Sequence, residues 1–176
     1  EGVEMTLNLE GERMVVRAQK SRFTLSTLPA TEFPTVEEIN AQQTLKVPQK
    51  DFRRLLEKTY FSMAQQDVRY YLNGLMLELD KKGIRCVATD GHRLAMCELA
   101  AKTGVNENQQ VIVPRKGVQE LLRLLESDEG DVEIQIGSNH IRVSALAIRF
   151  TSKLIDGRFP DYKRVVPKGG DKQIQA

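Results

Sequence analysis

The chain contains its own repeat, and that repeat limits the folds open to it. Setting Val47-Pro48 on Val113-Pro114 places Lys50 on Lys116, Leu55 on Leu121 and Leu56 on Leu122, a spacing of 66 residues. Each apolar run ends at a proline, a residue a helix tolerates in its first turn. The first helix is predicted to run to about Met63, with Phe52, Leu55, Leu56, Thr59 and Tyr60 on one face. The second runs to about Leu125 and packs Val118, Leu121, Leu122 and Leu125. Three strand-like runs follow each helix, at 72–79, 84–89 and 93–99, and again at 131–136, 140–144 and 148–154. A β-α-β-β-β unit is therefore written twice.

A longer echo links the two ends. Residues 7–24 match 134–151: Leu7 with Ile134, Leu9 with Ile136, Met14 with Ile141, Val16 with Val143, and Arg22-Phe23-Thr24 with Arg149-Phe150-Thr151. Phe33-Pro34 then answers Phe159-Pro160, at about 126 residues. Repeats this long are tandem domains, since solenoid units are shorter. The expected architecture is a string of α+β domains, each of two half-domains, open at both ends, with roughly the first forty residues forming the tail of an earlier copy. Strands are expected at 3–9, 13–17 and 22–28. Left without the rest of their domain they would expose a sheet edge, and self-association or disorder is expected there. The chain opens at Glu1 inside a strand-like run and without a methionine, so it reads as a fragment or a processed piece.

Composition excludes several classes. Forty per cent apolar and 28% charged residues, with six prolines and twelve glycines, describe a globular chain rather than a disordered or fibrous one. No apolar run is long enough to span a bilayer, and nothing at the start resembles a signal peptide. A net charge of +2 argues against a protein that holds DNA by electrostatics alone. The 46–58 segment is mildly basic, with Lys46, Lys50, Arg53, Arg54 and Lys58 against Asp51 and Glu57.

Asp90-Gly91, between two alternating apolar runs, predicts a tight hairpin with a two-residue loop and positive φ at both positions. Cys86 would then face Ala95 and Cys97 would face Ile84, both on one face, as reduced thiols of a cytosolic core. The hairpin gathers Thr89, Gly91, His92, Arg93 and Leu94. His92 beside Asp90 could form a base with its orienting carboxylate, which would make a hydrolase. No nucleophile elbow, phosphate-binding glycine loop or zinc-type motif accompanies it, and no metal or cofactor site is read. A hydrogen-bonded turn histidine is the simpler reading, and a non-catalytic chain is expected. Exposed Arg69-Tyr70-Tyr71 could stack on bases or sugars, or one tyrosine, Tyr71, could pack into the sheet. The 160–167 run, bounded by prolines, reads as an extended linker. Where it crosses the hairpin it would bound an apolar groove with Leu72, Leu94, Pro160 and Val165, rimmed by Arg93 and Arg164 and suited to a short peptide. No recognition-helix motif supports a sequence-specific DNA-binding module.

The strings V-R-Y-Y-L-N-G (68–74), T-D-G-H-R-L-A (89–95), V-P-R-K-G (113–117) and R-F-P-D-Y (158–162) resemble the bacterial DNA sliding clamp, the β subunit of DNA polymerase III, over essentially the whole chain. The resemblance implies the DNA-clamp fold, each domain two βαβββ halves with helices facing a ring interior. It places 1–42 at the end of one domain, 43–171 as a complete second domain and 172–176 at the start of a third. It implies a cytoplasmic processivity factor, homodimeric when full length, that encircles duplex DNA and carries no chemistry of its own. Its partners would be the polymerase III α subunit, the clamp-loader δ subunit, and other polymerases or repair proteins bearing a Q-x-x-L-F-like motif. Leu72, Thr89, Gly91, His92, Arg93, Leu94, Pro160, Arg164 and Val165 match the family's peptide pocket. Gln66, Arg69, Tyr70 and Tyr71 match its DNA-contact loop, with Arg115 and Lys116 as further phosphate contacts. Lys163 stands where relatives carry arginine, a change expected to matter little on an exposed linker.

Overall fold

The structure, a computed structural model, describes residues 2–34, 39–105, 107–125 and 129–166. The chain divides into two compact units, Glu1–Glu38 and Ile39–Ala176. The expected domain end at 171 and the 172–176 segment lie outside the described residues, as does Pro167.

The first unit is an antiparallel meander of β1 (Met5–Glu10), β2 (Arg13–Ala18) and β3 (Ser21–Ser26), followed by a 3-10 turn at Ala30–Glu32. Side chains alternate across a strand, so the pairings Leu7↔Val16↔Phe23 and Leu9↔Met14↔Leu25 put every large apolar residue of these rows on one face. That face is open: Leu7 and Leu9 are each 61% exposed and Phe23 57%. The strands themselves are formed, with β2 paired along both sides. What lies uncovered is therefore a face as well as an edge.

The second unit runs β4 (Gln43–Pro48), α1 (Gln49–Glu57), β5 (Gly74–Asp80), β6 (Gly83–Thr89) and β7 (Leu94–Ala100). It then repeats the order as β8 (Gln109–Pro114), α2 (Arg115–Leu124), β9 (Asp131–Ile136), β10 (His140–Ala145) and β11 (Ile148–Lys153). The two halves are not self-contained. The sheets are ordered β7-β6-β5-β8 and β11-β10-β9-β4, so each half gives its first strand to the other half's sheet. Pro48 pairs with Asp131 and Pro114 with Gly74, and each helix leaves directly from the donated strand. Neither half can complete its sheet alone, which makes the unit fold as one.

Between the sheets and the two helices lies the main core, built from Phe52, Leu55, Leu56, Leu75, Leu77, Val118, Leu121, Ile134 and Ile141, among others. Burying a side chain of this size is worth roughly 1.5–3 kcal/mol. A second, smaller cluster lies on the opposite face of the β7-β6-β5-β8 sheet: Ala64, Leu72, Met76, Val87, Ile112, Phe159 and Tyr162. β5 is thus buried on both faces, and only its last residue, Asp80, is partly open.

Four expectations need correction. Helix α1 stops at Glu57 rather than near Met63, because the Thr59 hydroxyl donates back to the carbonyls of Leu55 (2.7 Å) and Leu56 (3.3 Å), and the chain continues as a 3-10 turn at Tyr60–Ser62. Leu72 closes another 3-10 turn, Tyr70–Leu72, instead of opening β5. The linker is not wholly extended, since its proline-free centre folds into a 3-10 turn at Tyr162–Arg164. The β6–β7 loop has four residues, because Thr89 pairs with Leu94, and of its first two residues only Gly91 has positive φ, at 90°. That register sets Cys86 directly opposite Cys97. Both thiols are free, and burial pushes the Cys86 thiol far above its ordinary range, so it is poorly nucleophilic.

Candidate functional site

The β6–β7 loop is shaped by two of its own side chains. The Asp90 carboxylate accepts the backbone N–H groups of His92 and Arg93, each at 3.0 Å, and the Arg93 Nε at 3.1 Å. The Thr89 hydroxyl accepts the Gly91 N–H (3.1 Å) and donates to the Arg93 carbonyl (2.7 Å). These bonds, first those from His92 and Arg93, hold the Asp90 carboxyl down at about 2. Asp90 is thereby engaged with backbone and guanidinium and makes no bond to the His92 imidazole among the described residues. The base-and-carboxylate pairing of the hydrolase reading does not form.

Arg93 is fixed at both ends of its guanidinium: beyond the Asp90 contact, Nη2 donates to the Phe61 carbonyl at 2.8 Å and the group lies 5.8 Å from the Phe61 ring centre. Arg69 reaches the same loop from the other side. Asp67 grips it at 3.0 Å through Nε and 2.7 Å through Nη2, and Nη2 also meets the Asp90 carbonyl at 3.3 Å. The hydrogen bond from Arg69 brings the Asp67 carboxyl down to about 2. A Cβ on Gly91 would sit 3.1 Å from the Arg69 Nη1, so the guanidinium lies flat on the one loop residue without a side chain.

Across from this loop runs the 160–166 segment. Between them opens a groove of about 660 Å³, lined by Leu72, Leu94, Met96, Pro160, Tyr162, Val165 and Val166, with Thr89, Gly91, His92, Arg93 and Arg69 along the loop side. Leu72 and Tyr162 of the second core cluster, with Leu94 packed against it, form the floor. Val165 is 67% exposed and Met96 46%, so among the described residues this apolar surface faces water uncovered.

Eight of the nine residues expected at a peptide pocket meet here. Arg164 does not: the 3-10 turn carries it outward, its side chain is 85% exposed, and its Nε pairs with Asp161 at 2.9 Å. Met96, Tyr162, Val166 and Arg69 line the groove without having been read as groove residues. Met96 was legible in principle, since it shares a strand face with Leu94. Tyr162 lay hidden in what read as a linker.

The residues matched to DNA contact divide. Gln66, Arg69 and Arg115 share a polar concavity of about 460 Å³ with Phe61, Gln65 and Asp67, on the other side of the hairpin. The loop holding them is clasped by the Asn73 amide, which donates to the Asp67 carbonyl (2.8 Å) and accepts its N–H (2.9 Å). Gln66 sits at its tip with a left-handed φ of 56°. Arg115 donates to the Met63 carbonyl at 3.1 Å. Tyr70 is 56% exposed, while Tyr71 is half-buried against the second cluster, and the two rings meet edge-to-face at 5.7 Å. Lys116 is exposed on the first turn of α2. No cluster of metal-binding side chains occurs among the described residues.

Fold and groove together define a class: a duplicated α+β unit with exchanged first strands, carrying an open apolar groove on the outer face of one sheet. Comparison with known proteins narrows it. Residues 46–161 match the family model for the central domain of the DNA polymerase III beta subunit. The beta sliding clamp of Pseudomonas putida is 54% identical over 168 residues, covering 96% of this chain and 46% of its own length. That of Escherichia coli K12 is 52% identical over 176 residues, covering 100% and 48%. A crystal structure of the Pseudomonas aeruginosa sliding clamp with ligand superposes with a TM-score of 0.89 at 54% identity, covering 96% of this chain and 46% of that one. A Bartonella birtlesii clamp bound to griselimycin gives 0.89 at 39%, covering 97% and 47%. The chain belongs to the DNA polymerase III beta subunit family and has the sliding-clamp fold. It spans about half the length of the relatives it matches.

Proposed function

We propose that this chain is part of a sliding clamp, a non-catalytic processivity factor of bacterial replication that works in the cytoplasm. In the complete protein, a homodimeric ring encircles duplex DNA with α1 and α2 facing the hole. The ring tethers the polymerase III α subunit, the clamp-loader δ subunit and other motif-bearing polymerases or repair proteins. The observation that carries the reading is the open apolar groove between the 89–94 loop and the 160–166 segment. Its shape and lining suit a short extended peptide with leucine and phenylalanine anchors, held between apolar floor and fixed arginines. Relatives solved with a ligand or with griselimycin support a binding surface in this family.

The polar concavity beside the groove, with Gln66, Arg69 and Arg115, supports phosphate contact, and exposed Tyr70 adds a stacking face. Weak contacts of this kind suit a ring that slides, which reconciles the small net charge with DNA as a partner.

The test is fluorescence anisotropy of a labelled Q-L-x-L-F peptide titrated with the chain. Saturable binding at roughly tens of micromolar is expected. Leu94→Ala should weaken it about tenfold or more, as for a central apolar anchor, and Arg164→Ala much less, since that side chain points away. Binding unaffected by Leu94→Ala would remove the groove from the reading.

A further inference from the structure

One buried charge in this molecule lines neither the groove nor the polar concavity beside it. Glu78 sits in the middle of β5 and is 1% exposed. The sheet pairings Gln110↔Glu78↔Arg85↔Glu98 draw a polar row straight across all four strands, on the groove face. The neighbouring row, Ile112↔Met76↔Val87↔Met96, is apolar. Three of its members belong to the second cluster and the fourth lines the groove. The polar row and the apolar row that reaches the groove at Met96 are thus adjacent stripes of one sheet.

Glu78 collects partners from every side. Oε2 accepts the Arg85 Nη1 and the Tyr162 hydroxyl, both at 2.6 Å, and Oε1 accepts the side-chain amides of Asn108 (2.8 Å) and Gln110 (2.9 Å). Lys163 Nζ approaches Oε1 at 3.8 Å, and Arg85 Nη1 also donates to the Tyr162 oxygen at 3.2 Å. Burying a carboxylate is unfavourable unless every lone pair finds a donor, and here they do. What matters is where two of those donors come from. Among the described residues, every hydrogen bond and ion pair tying residues 160–166 to the rest of the chain ends on Glu78 or Arg85. The remaining polar contacts of the segment are internal: the N–H groups of Arg164, Val165 and Val166 to carbonyls of Asp161 and Tyr162, and Arg164 to Asp161.

We infer that Glu78 and Arg85, through Tyr162, are positioning residues for the groove: they latch the 160–166 segment onto the sheet and so hold Pro160, Val165 and Val166 as its second wall. The inference rests on the groove reading above. A wall fixed before binding spares the peptide the ordering of a loop, so the latch acts on affinity without touching the peptide's anchors. It also gives Lys163 a role, as a second cation on the same carboxylate rather than an idle linker residue.

The test uses the full chain with Tyr162→Phe, which removes one hydroxyl and keeps the ring, and Glu78→Gln as the second variant. Hydrogen exchange at the amides of Arg164, Val165 and Val166 reads the latch without any peptide. Those amides should exchange faster in Tyr162→Phe, while β5 and β6 amides keep their protection. Anisotropy with the Q-L-x-L-F peptide should show affinity lower by about three- to tenfold, the net scale of one ordinary hydrogen bond. The loss should shrink towards none when Val165→Ala is already present, a coupling that a general loss of stability does not produce. Unchanged exchange at 164–166 in both variants overturns the latch, whatever the peptide does. Faster exchange with unchanged affinity overturns its role in the groove. If the wild-type chain fails to bind peptide, the groove reading itself falls, and exchange alone still decides whether Glu78 holds the segment.

Discussion

The meanders β1–β3 and β9–β11 are one structure written twice, in different surroundings. Their registers correspond pair for pair: Leu7↔Val16 recurs as Ile134↔Val143, and Val16↔Phe23 as Val143↔Phe150. In the second copy Ile134, Ile136 and Ile141 are fully buried. There β4 from the other half completes the sheet and α1 and α2 close over it. In the first copy the matching Leu7, Leu9 and Met14 lie on a face that is largely open to water. The alternating pattern is enough to set strands, hairpins and register. It does not supply the covering layer, which comes from helices and a donated strand elsewhere in the chain. Local sequence writes the sheet, and topology decides whether its face becomes core.

The largest expected difference between the copies is in stability. Ile134→Ala removes a fully buried side chain and should cost about 2–5 kcal/mol in urea denaturation, through lost transfer energy and the cavity left behind. Leu7→Ala, at the matching position, should stay within about 0.5 kcal/mol. Equal costs would mean that the first meander's face is covered in solution, and the comparison would break.

A smaller effect concerns association. An open apolar face on a short sheet favours contact with a second copy. Sedimentation velocity should give a mass that rises with concentration above 19.9 kDa. Leu7→Lys with Phe23→Lys should hold it constant. The same charges at Ile134 and Phe150 should instead unfold the second unit, because that face is core.

Much of this was legible in the sequence. The half-domain order, the prolines that open both helices, and the register of the long echo all follow from period and punctuation. The strand exchange was not, because nothing local distinguishes a first strand that joins its own half from one that joins the other. The groove was legible as a hairpin crossed by a proline-bounded run. Its loop length was misread because Asp90-Gly91 resembles a two-residue turn, whereas Asp90 uses its carboxylate to cap His92 and Arg93 and so spreads the turn over four residues. Arg69 was read as a DNA residue alone, since only the folded loop brings it onto Gly91. Glu78, set between Leu77 and Leu79, has the local pattern of an outward residue. Its burial depends on Tyr162, eighty-four positions away, which no periodicity reveals.

The smallest and most localised difference should appear with pH. Burial acts to raise the Glu78 carboxyl, but the bonds from Tyr162, Asn108, Gln110 and Arg85 outweigh it and bring it from 4.5 to about 2. A carboxylate depressed by folding adds stability that is complete above 4.5 and fades as pH falls from there through about 2. Tyr162 is pushed the other way, from 10 to about 12, first by burial and then by the Glu78 carboxylate it donates to. A phenol raised by folding adds stability that is complete below 10 and fades as pH climbs towards 12. The latch should therefore hold between these limits and loosen outside them, and amide exchange at 164–166 should report both edges. A tyrosinate absorbance titration checks the alkaline side: one of the four tyrosines should ionise late, and Glu78→Gln should bring it part of the way back towards 10 while burial keeps the rest of the shift. Four tyrosines ionising together would place the Tyr162 hydroxyl in water and open the latch at every pH.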